Sequence, residues 1–410
     1  MTETVTNQAA WQKAPGQPLR IGVTALPHLA ANEILIRNAA IAINPLDWIL
    51  QDVALLPWLD YPAILGSDVS GEVAAVGGAV ERFKVGDRVI GQAVGTTVNQ
   101  PAQGAFQHHT IVLDHMAAPI PNNIAFADAA VLPLGLGTAA SGLYGRTQLA
   151  LAPPLHSPTA RPEVVLVWGG SSSVGCNAIQ LAVASGYRCV ATASARNVGL
   201  LKELGASEVL DHSSPAIVED VIEAMRGRSL AGTLHATGHM KDCFAVVARC
   251  EGSRRVAATL APPDERSFGV EATHISGTSL KDDEVGPMIY REFLPQALAA
   301  RTFVPAPPAK IVGQGLEMLQ AALEALKAGV SAAKIVVTLP WVTSQAVFRV
   351  RSLRWPALCR LGSSTGKTRL GRALRSCRSM RSRNLFPTAF PRNYLSDIEK
   401  WECSEWFERP

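Results

Sequence analysis

The residues best suited to chemistry form a glycine- and serine-rich turn between an apolar segment and a helical pattern. The apolar segment covers residues 164–168, and the turn comprises Gly169, Gly170, Ser171, Ser172, Ser173, Val174 and Gly175. Small residues let a turn's backbone approach a phosphate, and the amides and positive dipole end of the following helix favour an anion. The turn therefore predicts a site for the pyrophosphate of a dinucleotide. Taken alone, a structural loop is the alternative interpretation.

The segments on either side of this turn indicate a strand–helix–strand unit. The upstream segment is apolar and rich in valine, as in a parallel strand covered on both faces. Downstream, Val174, Ala178 and Leu181 recur at helical spacing, and a second strand is expected over 188–193 after the turn at Gly186. This order and length are typical of the dinucleotide-binding unit of a doubly wound α/β sheet.

The end of the second strand indicates which nicotinamide cofactor is bound. An acidic residue there would hold an unmodified ribose and repel a 2′-phosphate. The chain has Ser194, Arg196 and Asn197 instead, and a guanidinium is well matched to phosphate. The expected cofactor is NADP(H). The alternative is that Arg196 is a solvated residue opening the next helix.

Composition limits the class of protein. A chain of 410 residues that is 48% hydrophobic suggests two domains. It has no run near the roughly 20 apolar residues of a membrane span, and its N-terminus lacks the pattern of a signal peptide, so we expect a cytoplasmic protein without a membrane partner. Seven cysteines without a CxxC pair fit neither a disulfide framework nor a zinc knuckle, and predict reduced thiols.

Before the predicted unit, short apolar runs alternate with glycine-rich turns, which indicates a β-rich domain preceding the α/β one. The segments 66–73 and 85–89, followed by the turn at 169–175, resemble those of the medium-chain dehydrogenase/reductase superfamily over about residues 10–340. The resemblance implies a GroES-like substrate domain over 1–135, completed by 290–340. It implies a Rossmann-type NADP(H)-binding domain with a doubly wound parallel sheet over 136–289.

The zinc ligands of this superfamily's alcohol dehydrogenases are missing from the matching positions. Those enzymes bind a catalytic zinc through an early Cys and a His, where this chain has Asn44 and Ser67, and neither is a plausible ligand. The cysteines of the structural zinc lobe are missing too. His108 and His109 are adjacent on a predicted strand and face opposite ways, so we favour a structural role for them. The resemblance thus implies no metal.

The strings 44–48 and 130–139 resemble those of the zinc-free branch, which includes quinone oxidoreductases and fungal enoyl-reductase-like members. The implied reaction transfers hydride from NADPH to an activated C=C bond of an unsaturated carbonyl, or to a quinone. Such chemistry needs alignment and hydrogen bonds to the acceptor's oxygen more than it needs a metal. By resemblance, Asn44 and Thr138 lie near the nicotinamide and its ribose, Ser172 to Val174 at the pyrophosphate, and the residues ending the second strand at the 2′-phosphate.

Each of these assignments has an alternative. Asn44 can set a turn before Pro45, and Thr138 can cap a helix. A proton donor is not identified, because the nearest tyrosine, Tyr61, lies in an expected loop and Ile49 stands where relatives often carry lysine. The catalytic candidates are Asn44, Tyr61 and Thr138. His212 is either a contact to the adenine side of the cofactor or an exposed loop imidazole.

Residues 341–410 differ in composition from the rest, with 12 Arg and 2 Lys against 5 acidic residues and four of the eight tryptophans. Binding of nucleic acid through this basic segment is one hypothesis. A disordered extension, or sequence foreign to the family, is the interpretation we favour. A nicotinamide-binding protein without turnover is a further alternative to the reductase. The sequence allows a monomer or a homo-oligomer.

Overall fold

The computed structural model describes residues 6–26, 28–262 and 269–340. The predicted basic extension, 341–410, lies outside them. The strands are β1 (Thr6–Gln12), β2 (Arg20–Ala25), β3 (Glu33–Ala42), β4 (Ala63–Ile64), β5 (Asp68–Val76), β6 (Arg88–Gln92), β7 (His109–Leu113), β8 (Ala117–Pro119), β9 (Val164–Trp168), β10 (Arg188–Ala193), β11 (Glu208–Asp211), β12 (Ser229–His235), β13 (Glu251–Gly252), β14 (Arg255–Ala258), β15 (Glu271–His274), β16 (Ala309–Gln314) and β17 (Lys334–Thr338).

The α-helices are α1 (Pro45–Asp52), α2 (Gly95–Val98), α3 (Phe126–Ala129), α4 (Pro133–Tyr144), α5 (Ser173–Ala184), α6 (Val198–Glu203), α7 (Ile217–Ala224), α8 (Met240–Arg249), α9 (Val285–Pro287), α10 (Leu294–Ala300) and α11 (Leu319–Lys327). A π-helical segment, Met288–Phe293, joins α9 to α10. The predicted boundaries after residues 135 and 289 therefore fall inside α4 and inside this segment.

The predicted cofactor-binding domain, called the cofactor domain below, is built on a parallel sheet with the order β11-β10-β9-β12-β14-β15, and β13 pairs with β12. The side chains on the two faces of β9 pack in different hydrophobic clusters. Val165 and Val167 pack in the cluster that contains α5, whereas Val164 and Leu166 pack in the cluster that contains α7 and α8. Helices thus cover both faces, which confirms the doubly wound α/β class. The predicted strand over 188–193 is confirmed as β10.

The predicted substrate domain, called the substrate domain below, contains a sheet with the order β16-β17-β3-β5-β6-β8, in which β7 also pairs with β3, and a small sheet β2-β1-β4. The strand β17 comes from beyond the cofactor domain and pairs antiparallel with β3, with Val336 opposite Ala42. The Ile43 amide extends this pairing by donating to the Ile335 carbonyl at 2.9 Å. The start of β17 therefore lies beside the end of β3.

The helix α4 joins the two domains. The stretch Phe126–Tyr144 is 19 residues long with a mean hydropathy of 1.3, enough by length and composition to cross a membrane, but 78% of its most apolar window is buried inside the protein. It packs against α5 and β12 of the cofactor domain and against β5 and β6 of the substrate domain. Its apolar composition reflects this burial. Because α4 begins at Pro133, the interpretation of Thr138 as a helix cap is wrong.

Candidate active site

The predicted phosphate-binding turn follows β9 and is closely packed. Gly169 has a φ of +84°, a conformation that strongly favours glycine. A Cβ on Gly175 would overlap the carbonyl oxygen of Gly169 and lie 2.7 Å from Gly170 Cα. The turn therefore folds back on the first turn of α5 at a distance that side chains would prevent. We call Gly169 to Gly175 the glycine cradle.

The serines of the glycine cradle have different environments. Ser172 is the N-cap of α5, and its Oγ accepts from the Gly175 amide at 3.0 Å and donates to the Gly169 carbonyl at 2.9 Å. Its hydroxyl therefore holds the turn together. Ser173 Oγ is buried and has no partner within the described structure, whereas Ser171 and Val174 are half-buried. The Gly175 amide is taken by Ser172 Oγ, but the Ser173 and Val174 amides of the first helical turn have no intrahelical acceptor, so the cradle fits a pyrophosphate.

The end of β10 gathers some of the predicted 2′-phosphate residues. Ser194 Oγ lies 3.0 Å from His212 Nε2, and Arg196, two residues after Ser194, is exposed. Parallel pairing of β10 with β11, with Ala193 opposite Asp211, brings His212 to this edge. Asn197 is buried instead, and its Nδ2 donates to Ser331 Oγ at 3.2 Å.

A carboxylate also lies at this edge, on the neighbouring strand. Asp211 Oδ1 accepts from the Ser213 amide at 3.0 Å and from its hydroxyl at 2.8 Å. Hydrogen bonds from the Ser213 backbone and side chain lower the pKa of Asp211. The residues at the end of the second strand do not indicate Asp211, because strand pairing rather than sequence spacing brings it to Ser194.

Asn44 lies on the substrate-domain side, in a buried set of polar side chains whose contacts the sequence did not predict. Asn44 Nδ2 donates to Asp68 Oδ2 at 2.9 Å, and its Oδ1 accepts from Lys334 Nζ at 2.5 Å. Lys334 Nζ is also 2.9 Å from Asp68 Oδ2, and the two side chains are 5% and 0% exposed. Asp47 Oδ2 accepts from the Asn44 amide at 2.7 Å. We call Asn44, Asp47, Asp68 and Lys334 the Lys334 cluster.

Two features set the electrostatics of the Lys334 cluster. Burial, which disfavours the carboxylate, raises the pKa of Asp47 to about 7, and the nearby charge of Asp68 adds to this effect. The charge of Asp68 is offset by Lys334 and by hydrogen bonds. Its Oδ1 accepts from the Leu134 amide at 2.5 Å. The cluster therefore reaches the first turn of α4, the helix that carries Thr138.

A second group of polar side chains holds the same turn of α4. The Tyr290 hydroxyl lies 2.8 Å from Gln92 Oε1 and 2.7 Å from the Pro133 carbonyl oxygen. Gln92 Nε2 donates to the Gly277 carbonyl at 2.8 Å. A Cβ on Gly277 would overlap Thr138 Oγ1, so this loop of the cofactor domain lies against the Thr138 hydroxyl. The structure thus links Asn44 and Thr138 through α4.

Tyr61 is not linked to this site by its hydroxyl, which donates to the Leu50 carbonyl at 2.9 Å. Burial raises the pKa of Tyr61.

The two adjacent histidines, His108 and His109, are half-buried. Burial lowers the pKa of His108 and brings that of His109 to about 4. Among the described residues, no three His, Cys, Asp or Glu side chains come together as a metal site.

Comparison with known proteins agrees with this architecture. Residues 30–122 match the family described as the alcohol dehydrogenase GroES-like domain. Dehydrogenase azaJ of Aspergillus niger is 44% identical over 345 residues, which cover 82% of this chain and 99% of the relative. The chain belongs to the medium-chain dehydrogenase/reductase superfamily.

Two further comparisons agree with the predicted branch of the superfamily and with the fold. Trans-enoyl reductase himH of Aspergillus japonicus is 39% identical over 340 residues, which cover 82% of this chain and 98% of the relative. An alcohol dehydrogenase superfamily protein from Novosphingobium aromaticivorans superposes with a TM-score of 0.68 at 26% identity, covering 82% of this chain and all of the other. The prediction of an enoyl-reductase-like member of the medium-chain dehydrogenase/reductase superfamily is confirmed. The chain is an oxidoreductase, and its superfamily binds nicotinamide cofactors.

Proposed function

We propose that the protein is an NADPH-dependent, zinc-independent reductase of an activated C=C bond in an unsaturated carbonyl compound, or of a quinone. The observation that carries the proposal is the environment of Asn44. Its Oδ1 faces the ammonium of Lys334 at 2.5 Å, and a buried positive charge there disfavours a divalent cation. An acceptor whose own carbonyl stabilises the developing charge needs no metal. Similarity to a trans-enoyl reductase supports the same class of acceptor.

The choice of NADP(H) rests on the edge formed by β10 and β11. Arg196 is exposed, and two residues before it the Ser194 hydroxyl lies 3.0 Å from the His212 imidazole. These groups would hold a 2′-phosphate, since a guanidinium binds phosphate through paired charged hydrogen bonds. The carboxylate of Asp211 opposes this binding. Its Oδ1 is engaged by the Ser213 amide and hydroxyl, so Asp211 stays ionised, and the proposal requires Arg196 to outweigh its charge.

The chain's own residues would bind and orient the reactants. When bound, NADPH supplies the hydride that reduces the acceptor. The glycine cradle would hold the pyrophosphate, and Asn44 and Thr138 would fix the groups next to the nicotinamide. In an unsaturated carbonyl acceptor, the hydride would add to the carbon β to the carbonyl. The Tyr61 hydroxyl is committed to the Leu50 carbonyl. We therefore propose that the proton added to the α-carbon comes from water.

The test compares cofactor use by the full chain and by two variants. Wild type, Arg196→Ala and the matched control Arg188→Ala, an exposed arginine at the opposite end of β10, are titrated with NADPH and NADH. Loss of a charged hydrogen bond costs about 1.5–3 kcal/mol, so Arg196→Ala should weaken NADPH binding by about tenfold or more and leave NADH unchanged. Equal binding of the two cofactors by wild type would overturn the NADP(H) proposal.

Turnover is then followed as NADPH oxidation with an enone, an enoyl thioester and a quinone. Consumption of NADPH with any of them supports the reductase, and the order of the rates identifies the acceptor class. A second candidate function, a nicotinamide-binding protein without turnover, is favoured by the committed Tyr61 hydroxyl. Tight NADPH binding with no oxidation across this panel would favour that second function.

A further inference from the structure

Lys334 opens the last described strand, yet it reaches the start of the first helix. The pairing of β17 with β3 continues through the hydrogen bond from the Ile43 amide to the Ile335 carbonyl, so Lys334 stands beside Asn44 although 290 positions separate them. Its side chain is 5% exposed and points into the protein rather than to solvent.

The contacts among Lys334, Asn44 and Asp68 form a closed triangle. The ammonium donates to Asn44 Oδ1 and to Asp68 Oδ2, and Asn44 Nδ2 donates to the same carboxylate oxygen. Because the amide oxygen faces a cation and the amide nitrogen faces an anion, only one orientation of the Asn44 amide satisfies both partners. The remaining oxygen of Asp68 accepts from the Leu134 amide at 2.5 Å.

Stability is a weak reason for such a triangle. Burying an ammonium and a carboxylate costs desolvation that their attraction often fails to exceed, and well-packed apolar residues frequently serve as well. The chain also contains an ordinary pair of the same types, because Lys327 Nζ lies 2.5 Å from Asp52 Oδ2 with side chains 39% and 35% exposed. The buried pair of Lys334 and Asp68 differs from this exposed pair because it also binds the side-chain amide of Asn44 and the backbone amide of Leu134.

We infer that Lys334 is a positioning residue of the reductase. It fixes the Asn44 amide directly and, through Asp68, the first turn of α4. Thr138 lies four residues after Leu134, on the same face of that helix. Lys334 therefore acts through Asn44 and Asp68 and holds two groups of the nicotinamide side in one relative position. The expected effect of Lys334 on kcat rests on the proposed function, whereas its expected effect on the position of the Leu134 amide does not.

The experiment compares Lys334→Met, Lys334→Arg and the matched control Lys327→Met in the full chain. The measurements are kcat, the KM for NADPH, the isotope effect with NADPH deuterated at the transferred position, and hydrogen exchange of the Leu134 amide. Misplacing a reacting group by about 1 Å can cost about a hundredfold in rate, so Lys334→Met should lower kcat at least about tenfold. The KM should change little, the isotope effect should rise, and Leu134 exchange should accelerate.

Lys334→Arg keeps the charge and should restore part of kcat, whereas Lys327→Met should match wild type in every measurement. If Lys334→Met does not fold, the double variant Lys334→Met/Asp68→Asn removes both buried charges but keeps a side-chain oxygen that can accept from the Leu134 amide, and the same criteria apply. A folded variant with wild-type kcat and unchanged Leu134 exchange would overturn the inference. If wild type itself oxidises no NADPH, the proposed function fails, and Leu134 exchange alone decides whether Lys334 positions α4.

Discussion

The two sides of the candidate site are built in opposite ways. The glycine cradle consists of seven consecutive residues, Gly169 to Gly175, and its properties come from backbone amides and from side chains that are small. The Lys334 cluster draws four charged or polar side chains from positions 44 to 334 and depends on their charges and hydrogen bonds. The cradle should therefore fail when a side chain is added, and the cluster should fail when a side chain is removed.

The largest effect is expected from removing one charge of the buried pair. Asp68→Leu leaves the ammonium of Lys334 buried without its counter-charge, which should lower the free energy of unfolding by about 3–5 kcal/mol. Asp52→Leu, the matched change in the exposed pair with Lys327, should cost less than about 1 kcal/mol. Urea unfolding of both variants measures the difference. Equal losses would mean that burial does not distinguish the two pairs.

The converse change adds a methyl group to the cradle. Gly175→Ala places a Cβ against the Gly169 carbonyl, and such overpacking costs about 1–3 kcal/mol of unfolding free energy. The displaced turn should also bind NADPH at least about tenfold more weakly, since the backbone no longer reaches the phosphates.

The matched control for this change is Gly199→Ala. Gly199 lies in α6, and a Cβ there meets no atom within 4 Å. Because Gly199 is the second residue of this helix, the substitution should stabilise the protein by less than about 1 kcal/mol and leave NADPH binding unchanged. A Gly175→Ala variant that binds NADPH like wild type would contradict the role of the cradle.

The contrast between the two sides also explains what the sequence could predict. Strand β10 and the strand–turn–helix at Gly169 follow from local periodicity and from glycine positions, which lie within 30 residues of one another. The Lys334 cluster depends on the register of β17 against β3, which no local pattern encodes. The only signal was a lysine opening an otherwise apolar closing strand. Asp211 was missed for the same reason, because pairing of β10 with β11 brings it to Ser194.

Asp47 gives the Lys334 cluster a dependence on pH that the cradle lacks. Burial raises the pKa of Asp47 to about 7 in the folded protein from 3.8, so the folded state binds more protons between these values. Its contribution to stability is therefore fully present below about pH 4 and is lost as pH rises to about 7. Half-buried His109 has the opposite dependence, because its pKa is lowered to about 4.

The Asp47→Asn variant isolates this contribution, because asparagine keeps an oxygen that can accept from the Asn44 amide and has no titratable group. The free energy of unfolding of wild type minus that of the variant should fall as pH rises from 4 to 7 and then remain constant. Urea unfolding at half-unit steps of pH measures it. A difference that stays flat across this range would show that Asp47 does not titrate with a raised pKa.

The smallest effect is expected at Tyr61, which lies outside both the cradle and the cluster. Tyr61→Phe removes one hydrogen bond to the Leu50 carbonyl and should cost about 0.5–1.5 kcal/mol of unfolding free energy with kcat unchanged. The comparison is Tyr290→Phe, which removes the one buried hydroxyl proton that Gln92 Oε1 and the Pro133 carbonyl share and should cost about 1–3 kcal/mol. If Tyr61→Phe instead abolished turnover while the fold and NADPH binding persisted, Tyr61 would be the proton donor. Its hydroxyl would then have to leave Leu50 during the reaction.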